Sequence, residues 1–80
     1  MYTVYILECA DGTFYTGITN NLPRRLAAHK AGTAARYTRA RGFAGLRYSE
    51  SQPNRSAAQV REAAIKKLSR AEKEHLITTV

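Results

Sequence analysis

Eighty residues suffice for one domain, expected to span 1–80, but a chain this short buries only about 60–65% of its unfolded surface, so the core must be small. Hydrophobic content is 44%, and the lone cysteine, Cys9, excludes an internal disulfide and has no zinc-like spacing around it; it reads as a half-buried strand residue in a reducing, cytoplasmic compartment. Thirteen Lys plus Arg against six Asp plus Glu give a formal charge of +7, which points to a polyanionic partner.

The chain opens Met1-Tyr2-Thr3-Val4-Tyr5-Ile6-Leu7-Glu8, without the basic and small-residue flanks of a signal peptide, and no apolar run approaches the roughly 20 residues that cross a bilayer. No membrane role is expected. Two β-rich runs, Tyr2 to Glu8 and Thr13 to Ile18, flank Ala10-Asp11-Gly12 and predict an antiparallel hairpin. The first run is apolar at both parities, so it should be a central strand covered on both faces. Loop length sets the register. A two-residue Asp-Gly loop puts Tyr5 and Tyr15 on opposite faces. A three-residue loop with Gly12 left-handed pairs Cys9 with Thr13, Leu7 with Tyr15 and Tyr5 with Gly17, and brings both tyrosines to one face.

Asn20 or Asn21 caps a helix with Pro23 in its first turn, running to Gly32. Leu22 and Leu26 form its apolar row, and Arg25 and His29 form the adjacent row, where packed and wet surfaces meet. From Asn20 to Ser49 the chain holds Arg24, Arg25, Lys30, Arg36, Arg39, Arg41 and Arg47 and no acid. Arginine forks suit phosphate oxygens, so this basic stretch reads as a nucleic-acid surface; a solvated basic face is the bland alternative. Thr33 to Arg41 is expected as a loop or short helix over the groove. A third strand, Leu46 to Ser49, follows a turn region Gly42 to Gly45. Ser56 with Gln59 has a capping-box pattern opening a helix whose inward row is Val60, Ala64 and Leu68, with Glu62 at the edge of the apolar arc. Ser69-Arg70-Ala71-Glu72 repeats the box before a short helix anchored by Leu76 and Ile77.

The residues that fall at these boundaries are Tyr5, Tyr15, Gly17, Arg25, His29 and Glu62, a set suited to phosphodiester cleavage. Each has an ordinary reading too: strand tyrosines pack, a helical histidine sits on the surface, and Glu62 pairs with Lys66 one turn on.

Their order resembles a known family. Val4-Tyr5-Ile6, then Tyr15-Thr16-Gly17 ten residues after Tyr5, resemble the signature segments of the GIY-YIG nuclease superfamily. The stretch from Tyr15 through Arg25 to His29 is similar to the family's strand-to-helix segment, and the run starting at Glu62 to its metal-binding helix. The chain is most like the small stand-alone bacterial members. Val4 stands where the name-giving pattern has glycine, with its side chain facing away from Tyr5. Ile18 replaces the lysine of DNA-repair members, and the late asparagine of some homing and restriction enzymes has no match.

The resemblance implies an α+β fold, a three-stranded antiparallel sheet flanked by helices in the order β-β-α-β-α-α. It also implies one Mg²⁺, or Mn²⁺, on Glu62, with Arg25 bracing the transition state and Tyr15 or Tyr5 taking a proton from water. His29 would relay protons and Gly17 would make room for backbone. From the basic stretch itself, Arg24, Lys30, Arg36, Arg39 and Arg41 would contact substrate, and Tyr37 would stack on a base or contact phosphate, with packing as the equal alternative. The expected function is a metal-dependent endo- or exonuclease, acting on DNA rather than RNA, in repair or recombination. The alternatives are a non-catalytic DNA- or RNA-binding module working with a partner protein that supplies specificity, and, ranked below both, a scaffold for an acidic protein.

Overall fold

A computed structural model describes residues 1–78. The elements in chain order are β1 (Tyr2–Cys9), β2 (Phe14–Thr19), α1 (Leu22–Ala31), α2 (Arg36–Arg41), β3 (Phe43–Gln52), α3 (Arg55–Lys66) and α4 (Arg70–Thr78). The sheet is antiparallel throughout in the order β2-β1-β3, so the strand that is apolar at both parities is central. One face carries Val4 and Ile6, fully buried against Ala58 and Ile65 of α3, with Tyr2, Phe14, Ile18, Tyr48, Leu76 and Ile77 closing around them. On the other face Tyr5, Leu7 and Cys9 are buried too, and Tyr5 meets His29 of α1, which in turn meets Thr38 of α2. The sheet thus separates a small aliphatic core from a polar, aromatic layer.

The caps account for the helix ends. Asn21 Oδ1 accepts the Arg24 amide at 3.2 Å, Pro23 sits in the first turn, and Gly32 closes α1 at φ +79, a left-handed conformation in which glycine has no Cβ penalty. The Ser69–Glu72 capping box is reciprocal: Glu72 Oε1 accepts the Ser69 amide at 2.9 Å and Ser69 Oγ accepts the Glu72 amide at 3.2 Å.

The stretch 33–41 takes the short-helix form of its two expected readings, as α2, six residues long. Two details differ from the sequence reading. Strand β3 starts at Phe43, not Leu46, because the chain turns at Gly42 alone (φ +80) and two register shifts let Phe43 and Gly45 pair with Cys9 and Glu8. Helix α3 is capped by Asn54, whose Oδ1 accepts the Ala57 amide at 2.9 Å, and not by Ser56. Its inward arc is Ala58, Arg61, Glu62 and Ile65, while Val60 is 73% exposed and Ala64 lies outside. Small Ala58 allows close approach to the sheet, and Glu50 holds Arg61 through two hydrogen bonds of 3.0 and 3.1 Å, so a charged residue takes the place expected for Val60. That rotation turns Glu62 toward the sheet.

Asn54→Ala should therefore lower unfolding stability by about 1 kcal/mol, whereas Ser56→Ala should stay within about 0.5 kcal/mol of the parent. Urea denaturation of both variants measures this, and the reverse ranking would return the cap to Ser56.

Candidate active site

The hairpin sets the site. Gly12 (φ +85) donates to the Cys9 carbonyl at 2.9 Å, and the Cys9 amide donates to the Thr13 carbonyl at 2.8 Å, closing a three-residue loop. Its odd length pairs Leu7 with Tyr15 and Tyr5 with Gly17, so the two tyrosines share a face with ring centroids 6.5 Å apart. A Cβ on Gly17 would lie 2.7 Å from Tyr5 Oη and 2.8 Å from its Cζ. The phenol therefore crosses the sheet directly over Gly17, a path only glycine leaves open.

Beyond Gly17 the Tyr5 hydroxyl meets His29 Nε2 at 2.8 Å, and His29 Nδ1 meets Thr38 Oγ1 at 2.8 Å. Thr38 Oγ1 also reaches the Ala35 carbonyl at 3.3 Å. A carbonyl only accepts, so the Thr38 hydroxyl donates there and its oxygen accepts from Nδ1–H. Neutral His29 then has its lone pair on Nε2 and accepts from the Tyr5 O–H; the network assigns this tautomer. Burial pushes the His29 pKa below its ordinary value, and the Arg25 guanidinium pushes it the same way, so the imidazole is neutral at pH 7. Burial likewise raises the Tyr5 phenol, with Tyr15 and Glu62 adding to the rise and Arg25 opposing it. Arg25 of α1 and Glu62 of α3 thus both act on the Tyr5 hydroxyl. His29, expected at the wet border, is only 2% exposed because α2 folds over it.

A family model described as the GIY-YIG catalytic domain matches residues 1–75. The chain belongs to this family of nucleases. It is 53% identical over 76 residues to a UPF0213 protein of Halobacterium salinarum, covering 95% of this chain and 99% of that one. A UPF0213 protein of Clostridium perfringens is 51% identical over 99% of this chain and 85% of its own length. The solution NMR structure of a UPF0213 protein from Bacillus halodurans superposes with a TM-score of 0.62 at 43% identity, covering 99% of this chain and 85% of that one.

Within this GIY-YIG domain the structure gathers Tyr5, Tyr15, Gly17 and His29 by direct contact and brings Arg25 and Glu62 within electrostatic reach of Tyr5. Half-buried Tyr15 lies edge-on to His29 at 5.2 Å, and its hydroxyl has no hydrogen-bond partner among the described residues. Tyr37 packs on Tyr15 at 5.8 Å, beneath the Arg41 guanidinium, 4.5 Å from the Tyr37 ring centre. Arg41 itself pairs with Asp11 at 2.7 Å, so it closes the tyrosine layer instead of standing free as a substrate contact. Arg24 and Arg25 line an open groove of about 510 Å³, and Arg36 and Arg39 one of about 630 Å³ across the Thr33–Ala34 segment. Lys30 is exposed on α1. The sequence reading missed Thr38, which fixes the His29 tautomer; its only signal was a small hydroxyl residue amid the arginines of a short helix.

Glu62 is the donor to test for a metal. Its side chain is 22% exposed and pairs with Lys66 at 3.1 Å, and no group of three or more His, Cys, Asp or Glu that could hold an ion exists among the described residues. One hard carboxylate fits Mg²⁺, which keeps most of its waters and takes further oxygens from phosphate; it does not fit the closed four-ligand sets of structural zinc.

Because folded His29 resists protonation and unfolded His29 titrates near 6.5, the unfolded state binds the extra proton below that pH. Stability is full above about pH 6.5 and should fall as pH drops toward 5. Asp11, held down to about 2 by hydrogen bonds from the Thr13 side chain and Arg41, titrates below this window. Thermal melts from pH 7 to 5 check this; a flat profile would mean that folded His29 takes up protons as readily as the unfolded chain.

Proposed function

We propose that this GIY-YIG protein is a metal-dependent phosphodiester hydrolase acting on nucleic acid, on DNA rather than RNA, in repair or recombination. The hydrogen-bonded run Tyr5–His29–Thr38, with Tyr15 beside it and Arg25 and Glu62 acting on its phenol, carries this reading. Arg25, which acts electrostatically on both Tyr5 and His29, has no ion pair among the described residues and is left to meet an anion.

The two tyrosines divide the work by burial. Tyr5 is 1% exposed and commits its proton to His29 Nε2, so it orders the imidazole. Tyr15 is half-buried with a hydroxyl that has no hydrogen-bond partner among the described residues, and it is the tyrosine that meets the attacking water or a phosphoryl oxygen. His29, neutral at pH 7, is the nearby base able to receive a proton passed through the tyrosine layer. Arg25 neutralises charge that develops on the phosphoryl oxygens. Glu62 would hold Mg²⁺ through one carboxylate, and that ion when bound supplies Lewis-acid stabilisation of the leaving and phosphoryl oxygens. A chain this small offers little surface for selectivity, so a partner protein supplies it.

The Glu62–Lys66 ion pair favours the competing reading, a binding module in which Glu62 is a surface helix residue. Cleavage of labelled single-stranded, duplex and branched DNA and RNA, with Mg²⁺ or chelator, separates the two. Wild type should cut only with metal, Arg25→Ala should lose about 10²–10³-fold in rate, and Glu62→Ala should not cut yet bind at least as tightly. Metal-independent products, or full activity in Glu62→Ala, would contradict the assignment. Salt-sensitive binding with every substrate intact would favour the module.

A further inference from the structure

The acids of this chain are all engaged. Glu8 pairs with Arg47, Asp11 with Arg41, Glu50 with Arg61, Glu62 with Lys66 and Glu74 with Arg70, while Glu72 caps α4. Arg24, Arg25, Lys30, Arg36, Arg39, Arg55, Lys67 and Lys73 are thus without an ion pair among the described residues. Five of these, Arg24 to Arg39, sit within the basic stretch, Lys67 is the C-cap of α3, and Lys73 lies half-buried on α4. Arg55 stands apart: it opens α3, on the far side of the sheet edge from α1, in a part of the chain with no basic cluster.

Arg55 and Arg25 nevertheless line one groove. A cleft of about 190 Å³ at the C-terminal end of β2, beside the start of β1, is walled by Tyr2, Ile18, Thr19 and Asn20 together with Arg25 from α1 and Arg55 from α3. Two guanidiniums facing a shared cleft without a carboxylate between them repel each other, and an anion entering the cleft relieves that repulsion. Arg55 is also seven residues before Glu62, so the two occupy one face of α3, two turns and about 10.5 Å apart along the axis. Arg25 stands across the cleft and is close enough to Tyr5 and His29 to move their titration. Arg55 and Arg25 thus share the cleft at the Thr19 end of β2, and Arg25 links it to the tyrosine layer.

Resting on the nuclease reading above, we infer that Arg55 is a substrate-positioning residue that binds a backbone phosphate flanking the one braced by Arg25. The strand runs along the edge of β2, between α1 and α3, and its backbone is clamped from both helices. This contact lies on sugar–phosphate, so it sets where the strand sits without reading its sequence. It gives α3 two roles on one face, a carboxylate toward the reacting group and a guanidinium toward its neighbour.

The test is fluorescence anisotropy of a labelled single-stranded oligonucleotide over a salt series, without metal, for wild type, Arg55→Ala, Arg55→Lys and, as a surface-charge control, Lys73→Ala. Circular dichroism checks that each variant is folded, and a parallel Mg²⁺ lane scores cleavage. Arg55→Ala should weaken binding about tenfold and reduce the salt slope by about one phosphate contact, while Arg55→Lys keeps the slope and loses less affinity. Lys73→Ala should change both much less. Binding of Arg55→Ala with wild-type affinity and slope, or an equal loss in Lys73→Ala, would overturn the inference and leave the nuclease reading standing. Tight, Arg55-dependent binding without cleavage by wild type would sink the catalytic reading and keep the contact. No binding by wild type would overturn both.

Discussion

The polar layer of this protein depends on one buried hydrogen-bonded run, Tyr5 to His29 to Thr38. An unsatisfied polar group in such a place costs on the order of 1–3 kcal/mol, so each member constrains the next. Tyr5 must reach His29, and therefore Gly17 must lack a side chain. His29 must find a second partner, and therefore α2 must fold across α1 to deliver Thr38. The short loop through Thr33 that joins the two helices, closed by the left-handed Gly32, has its length set by that requirement as much as by any contact of its own.

The sheet keeps this run apart from the aliphatic core. On the aliphatic side, Val4, Ile6, Ala58 and Ile65 supply the packing that lets so small a chain fold, and charged residues enter only where they are paired, as Arg61 is with Glu50. On the polar side Tyr5 and His29 are buried titratable groups, and the neighbours of Tyr5 act in opposite senses: Arg25 lowers its phenol while Glu62 raises it. Such an arrangement of displaced titrations around a basic groove is what acid–base chemistry on an anionic substrate requires. The excess positive charge is also organised. With every carboxylate engaged, the remaining arginines of α1, α2 and α3 face grooves instead of partners.

Much of this was legible in the chain. The hairpin was legible from Asp11-Gly12, although its register stood open between two loop lengths until the left-handed Gly12 settled it; α1 was legible from the Asn20-Asn21 pair, Pro23 and Gly32, and α4 from the Ser69–Glu72 box. These are local signals, written in residues whose backbone or capping preferences are strong. The phase of α3 was not legible, because the row chosen by side-chain size contained Val60, whereas the row that meets the sheet holds Ala58, Ile65 and a half-buried arginine paired with Glu50. The burial of His29 and the role of Thr38 escaped for a related reason: both arise when α2 packs on α1, and no periodicity within six residues announces it.

The central claim is that His29 is neutral and carries its proton on Nδ1, with Nε2 accepting from Tyr5. Long-range ¹H–¹⁵N NMR correlation of the imidazole at pH 7 tests it most directly. A neutral ring with a protonated Nδ1 and a bare Nε2, changing to the other tautomer or to a mixture in Thr38→Val, is the predicted result. A ring protonated on both nitrogens, or a wild-type ring with its proton on Nε2, would contradict the account and reverse the direction in which Tyr5 and His29 share their proton.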